Sequence, residues 1–174
     1  PALLFFPIAP IFMMVTPYFP ANYPADAPIR RMRIIVTAYT LVALLAATIG
    51  TLAYLGLMPA ADLFLRYGRA KATFKDPNVY GPFLILPAVF ALQRVMLARD
   101  LRTIIISGGI YLTLFVGVFA SFSRAAWGHF AVSSLIALVL VFFLEAQGRD
   151  KVRILLMTLG GGLMLMIALG GLLS

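Results

Sequence analysis

Residues 103–144 read TIIISGGIYLTLFVGVFASFSRAAWGHFAVSSLIALVLVFFL, and this stretch decides the fold. Two apolar runs, 103–122 and 127–144, are parted by Ser123-Arg124-Ala125-Ala126, in which Arg124 carries the only charge. A helix needs about 20 mostly apolar residues to cross the hydrocarbon layer, and each run is close to that length. A link this short forces the two runs to turn back on each other as neighbouring spans. Working outward, residues 34–58 and 79–97 meet the same criterion, and 154–173 meets it without a single charge.

The whole chain agrees with that reading. Of 174 residues, 63% are hydrophobic and 11% charged, whereas soluble domains run at about 45–50% and about 25%. These figures exclude an ordinary globule and intrinsic disorder. A complete lack of cysteine excludes a disulfide scaffold, thiolate chemistry and cysteine-held metals. The sequence therefore predicts an all-α, polytopic transmembrane bundle with about five full spans. A sixth, partial or broken span is expected in 1–19, where Pro1, Pro7, Pro10 and Pro17 remove helix hydrogen bonds. No soluble domain fits between the spans, so 1–174 reads as one transmembrane domain. The chain opens at Pro1 without Met and enters apolar sequence at once, which reads as an internal piece of a larger membrane protein.

Net charge is +8. Between apolar runs, such an excess points to anionic lipid headgroups rather than nucleic acid. Arg30, Arg31, Arg33, Arg94, Arg99, Arg102, Arg149, Lys151 and Arg153 fall on one side of the alternating spans. Arg66, Arg69, Lys71, Lys75 and Arg124 fall on the other. The larger set marks the cytoplasmic side under the positive-inside rule. The smaller set, on the outer side, has two readings: snorkelling to headgroups, or contact with an anionic ligand.

Two outer stretches carry the candidate chemistry. In Phe74-Lys75-Asp76-Pro77-Asn78-Val79-Tyr80-Gly81-Pro82, Asp76 and Pro77 have the form of a helix start. Pro82 and Pro87 then predict a kinked or interrupted span. Interrupted spans expose backbone groups to a cavity, a recurrent way to hold anionic substrates, although a capped and kinked helix needs no ligand to explain it. In Ser121-Phe122-Ser123-Arg124-Ala125-Ala126-Trp127-Gly128, Arg124 is left at the membrane boundary. A cation there usually faces protein or a wet cavity. Trp127 falls near it on a helix and suits the interface. Ser121, Ala125 and Gly128 read as small residues that admit a neighbouring helix.

Other chemistry is poorly supplied. His129, the only histidine, lies about 140° around a helix from Arg124 and reads as a hydrogen-bonded packing residue. With no second His, no Cys and only Asp62 and Asp76 as outer acids, no metal site is expected. The Gly160-Gly161-Gly162 run has no strand before it, so it reads as helix packing or a flexible point, not a phosphate loop.

Taken in order, the Phe-Lys-Asp-Pro-Asn-x-x-Gly-Pro segment and the later Ser-Arg-Ala-Ala-Trp segment resemble the bacterial O-antigen ligase and O-antigen polymerase superfamily, over roughly residues 41–144. The resemblance implies a polytopic glycosyltransferase of the inner membrane. Such an enzyme moves glycan from an undecaprenyl-diphosphate carrier to a saccharide acceptor at the periplasmic face, in lipopolysaccharide O-antigen or exopolysaccharide assembly, without a cofactor. It implies a diphosphate-contacting, catalytic Arg124, with Ser123 and Trp127 beside it. Asp76 and Asn78 would shape the cavity. By charge and side alone, Arg66, Arg69, Lys71 and Lys75 are expected to contact lipid diphosphate or glycan. The chain departs from the family in lacking the large periplasmic loop whose His is proposed to activate the acceptor, and His129 does not inherit that role. The alternatives are a transporter or flippase for an anionic lipid-linked substrate, or a non-catalytic membrane assembly subunit.

Overall fold

The computed structural model describes residues 27–146 and, beyond them, 148, 150–152 and 154–155. The expected spans in 1–19 and 154–173 and the Gly160–162 run therefore lie outside, or almost outside, the described residues. The chain divides into two compact units, Pro1–Thr37 and Ala38–Ser174. The described part of the first is helical, and there the Thr37 hydroxyl donates to the Arg33 carbonyl at 2.7 Å. The features below belong to the second unit.

Its elements are the helices α1 (Ala27–Tyr54, entering from the first unit), α2 (Pro77–Phe83), α3 (Ile85–Leu97), α4 (Leu101–Ala120) and α5 (Arg124–Leu140). A π turn, Val141–Glu145, extends α5. Four helical stretches among the described residues are long and apolar enough to cross a membrane: Arg33–Tyr54, Pro77–Leu97, Leu101–Ala120 and Arg124–Leu144. The Pro77–Leu97 stretch is interrupted at Leu84, between α2 and α3. The cause is local. Pro87 has no N–H to give the Phe83 carbonyl four residues earlier, so the ladder fails there.

Side chains sort by size more than by polarity. Ala43, Ala46, Ala47, Gly50 and Ala53 form a buried stripe down α1, and Ala88, Ala91, Ala126 and Ala137 are buried on α3 and α5. Large aliphatics such as Leu41, Leu45, Ile105, Leu112 and Leu135 face outward. A soluble core would place them the other way round. In lipid, tails are as apolar as leucine, so helix interfaces favour small residues that bring backbones close. The chain is accordingly a membrane-embedded helical bundle.

Tyr80 occupies the centre of the packing. It is fully buried, and a Cβ placed on Gly50 of α1 would sit 2.5 Å from its hydroxyl oxygen, one on Gly117 of α4 3.0 Å from it. The two glycines leave room for that ring. Around it pack Leu84 and Ala88 of the interrupted span, Leu114 and Val118 of α4, and Ala126 and Phe130 of α5. The connection after α1 closes one end of the bundle. It comprises a 3-10 turn (Ala61–Phe64) and a two-residue antiparallel hairpin, β1 (Leu65–Arg66) against β2 (Arg69–Ala70). Its Ala70 and Ala72 enter the same core as Tyr80.

Candidate functional site

Each of the two outer motifs opens a helix. Asp76 caps α2: its Oδ1 accepts the Asn78 N–H at 2.8 Å, and Pro77 takes the first helical position, where a missing N–H is harmless. Ser123 caps α5 by accepting the Ala126 N–H at 3.3 Å. The tight link before it holds Phe122 at φ 47°, a left-handed backbone uncommon outside glycine. Ser121 lies in that link, its hydroxyl donating to the Val118 carbonyl at 2.6 Å and accepting the Ser123 N–H at 3.3 Å.

The two segments, some forty residues apart in sequence, meet directly. A Cβ on Gly81 would lie 2.7 Å from the Ala126 Cβ and 2.8 Å from the Ser121 Oγ, so α2 and the start of α5 touch where only hydrogen fits. This corrects the expected packing face. α4 ends at Ala120, so Ser121 does not share a helix with Ala125 and Gly128, and both of those are exposed. The small residues that bring the helices together are Gly81, Ser121 and Ala126.

Arg69 is the third member. Its Nε donates to the Ser121 carbonyl at 2.9 Å and one terminal nitrogen donates to the Asn78 Oδ1 at 3.1 Å. One planar guanidinium thus ties the hairpin to both motifs. Arg66 donates to the Lys75 carbonyl at 3.1 Å and to the Asp76 Oδ2 at 3.3 Å, while Lys71 donates to the Leu63 carbonyl at 2.7 Å. Three of the four cations expected to contact a ligand therefore direct donors at protein acceptors. Asp76 is engaged through both oxygens, which suits a shaping role better than proton transfer.

Lys75 and Arg124 differ. Both are exposed, and neither side chain has a hydrogen-bond or ion-pair partner among the described residues. Arg124 is the first residue of α5. There the helix's unpaired N–H groups add to the positive potential. Trp127 is fixed beside it: its indole N–H donates to the Val118 carbonyl at 3.2 Å, and its ring stacks on Phe119 at 5.0 Å and 17°. The arrangement attracts an anion by charge and offers it the fork of an arginine. Among the described residues no group of three metal-ligating side chains occurs.

His129 departs from expectation. It is exposed, with no hydrogen-bond partner among the described residues, and lines an apolar groove of about 440 Å³ with Pro82, Ile85, Leu86, Val89, Ser133, Ile136, Ala137 and Leu140. Sequence reasoning missed this groove. Its signal was the four-residue spacing of His129, Ser133 and Ala137, which puts one polar and two small side chains on a single face opposite the proline-interrupted span.

No family model, curated protein or solved structure matches the chain.

Proposed function

We propose that the protein is a membrane glycosyltransferase of the O-antigen ligase or polymerase type. It would transfer glycan from an undecaprenyl-diphosphate carrier to a saccharide acceptor at the periplasmic face of the bacterial inner membrane. The observation that supports this reading is the junction of the two motifs: Gly81 against Ser121 and Ala126, with Arg124 unpaired beside it.

The chemistry follows from the charge that develops. The acceptor hydroxyl oxygen attacks the anomeric carbon, giving up its proton to solvent water, as the bond from that carbon to the diphosphate oxygen breaks. The electron pair leaves with the diphosphate, which becomes more negative. A guanidinium answers that charge with two parallel N–H donors and needs no metal. Arg124 takes this catalytic role, and Lys75 adds positive potential for the donor. Asp76, Asn78 and Arg69 hold the two helix starts in register, with Ser123 capping α5 and Trp127 bracing it against α4. Arg66 and Lys71 shape the connection over them.

Arg124→Ala should lower glycan transfer by about 100-fold or more, the scale for losing one preorganised transition-state donor, with normal abundance in the membrane. Lipid-linked glycan should accumulate while polysaccharide product falls. Arg124→Lys keeps the charge without the fork and should restore only part of the rate. Transfer near the wild-type rate in Arg124→Ala would overturn the assignment.

A further inference from the structure

The connection between α1 and α2 carries a surface that glycan transfer does not use. It is held rigidly: Arg69 reaches the Ser121 carbonyl, Lys71 the Leu63 carbonyl and Arg66 the Lys75 carbonyl, and Ala70 and Ala72 are buried beneath. On this fixed frame Leu57, Leu63 and Tyr67 stand 68%, 69% and 87% exposed. Tyr67 and Gly68 form the hairpin tip with φ of 54° and 71°, where Asn-Gly would be the relaxed choice. A bulky ring kept at a strained, exposed position points to a use for the ring. The Arg66 guanidinium lies 5.4 Å from the centre of that ring.

The level of this surface is fixed by what it touches. Ser121, which accepts the hydrogen bond from Arg69, adjoins Phe122, and Phe122 packs with Tyr54 at 5.4 Å and with Trp127 at 5.9 Å. Aromatic clusters at span ends mark the boundary between acyl chains and headgroups. The hairpin is bonded to the residue that precedes Phe122 of that cluster. Its basic residues outnumber its acids, a charge balance complementary to lipid phosphates.

We propose that Leu57, Leu63 and Tyr67 seat this connection in the headgroup–acyl boundary of the bilayer on its own side. Tyrosine with an adjacent arginine suits that boundary, the ring in the acyl edge and the cation reaching the wet side. This seating is independent of any transferase activity.

The chain has no cysteine, so a single Tyr67→Cys substitution places a nitrobenzoxadiazole dye at one site. The purified protein is reconstituted in phosphatidylcholine–phosphatidylglycerol vesicles. Phospholipids brominated near the top of the acyl chain should quench the dye several-fold more than aqueous iodide does. Leu63→Cys should behave alike, and covers the case in which the hairpin tip does not tolerate substitution. Leu45→Cys, on the outward face of α1, serves as the lipid-exposed reference. Stronger quenching by iodide would overturn the proposal by placing the surface in water. Protection from both quenchers would overturn it by placing the surface under protein.

Discussion

The Tyr39 hydroxyl of α1 donates at 2.7 Å to the carbonyl of Phe83, the group that Pro87 leaves without a helical donor. The two rings also meet, with centroids 4.9 Å apart. A backbone carbonyl stranded at membrane depth has no water to turn to, so an interrupted span survives only where protein supplies the missing partner. Here that partner comes from a residue 44 positions away. The break that lets α2 swing Gly81 against Ser121 and Ala126 is thus underwritten by α1.

Tyr39→Phe keeps the ring and removes the donor. It should destabilise the protein in detergent by about 0.6 kcal/mol, the average for hydrogen bonds between membrane helices, and by no more than about 1.7 kcal/mol, the largest such value. Pro87→Ala restores an N–H for the Phe83 carbonyl, and in that background Tyr39→Phe should cost clearly less. A double-mutant cycle on thermal unfolding reads the difference. Equal costs in both backgrounds would mean that the stranded carbonyl is not what Tyr39 serves.

Gly81→Ala should be costly because neither neighbour can yield. The Ala126 Cβ is fixed to its backbone, and the Ser121 hydroxyl is held by the Val118 carbonyl. Overpacking of this kind costs about 1–3 kcal/mol and shifts backbone. Gly128→Ala, on the same helix as Ala126 but with open space around it, should be near neutral or slightly stabilising. Unfolding midpoints of the two variants should therefore diverge; similar midpoints would refute the close approach.

What could be read in advance was local. The Asp76-Pro77 start, the Ser123 turn and the interruption before Pro87 each follow from a side chain acting on its own few residues of backbone. The four described spans follow from apolar length. The contacts that assemble the site are not local: Arg69 meets Ser121 across 52 residues, and Tyr39 meets Phe83 across 44. They depend on which helix faces meet, and apolar runs do not announce that. Counting charges by side marked Arg66, Arg69 and Lys71 as a surplus, but a count does not reveal that their donors point at carbonyls. Of the five cations on that side, Lys75 in the first motif and Arg124 in the second are the two that stay exposed with no partner among the described residues.

Acid should weaken the start of α4. Asp100 caps that helix, and hydrogen bonds from the Thr103 hydroxyl and then its N–H, the latter at 2.8 Å, hold the carboxyl below its ordinary range. A group depressed in the folded state contributes stability above its unfolded pKa of about 3.9 and loses it as pH falls through the lower folded value. Unfolding midpoints recorded from neutral pH down through that window should decline. Asp100→Asn retains a capping oxygen without a titrating charge and should flatten the part of the decline that Asp100 causes. An identical acid profile in the variant would assign the loss elsewhere.

Arg69 offers the sharpest separation of charge from geometry. Arg69→Gln should free the hairpin from both helix starts, at a cost of about 1.5–3 kcal/mol for hydrogen bonds made by a charged donor. Amides of 65–70 should then exchange faster with deuterium while those of α4 stay protected. Arg69→Lys restores the charge, but a single ammonium does not reproduce a planar fork aimed at the Ser121 carbonyl and the Asn78 side chain together. It should resemble Arg69→Gln more than the native protein. Full protection of 65–70 in the lysine variant would show that positive charge alone holds the hairpin, and the bridging role of the guanidinium would fall.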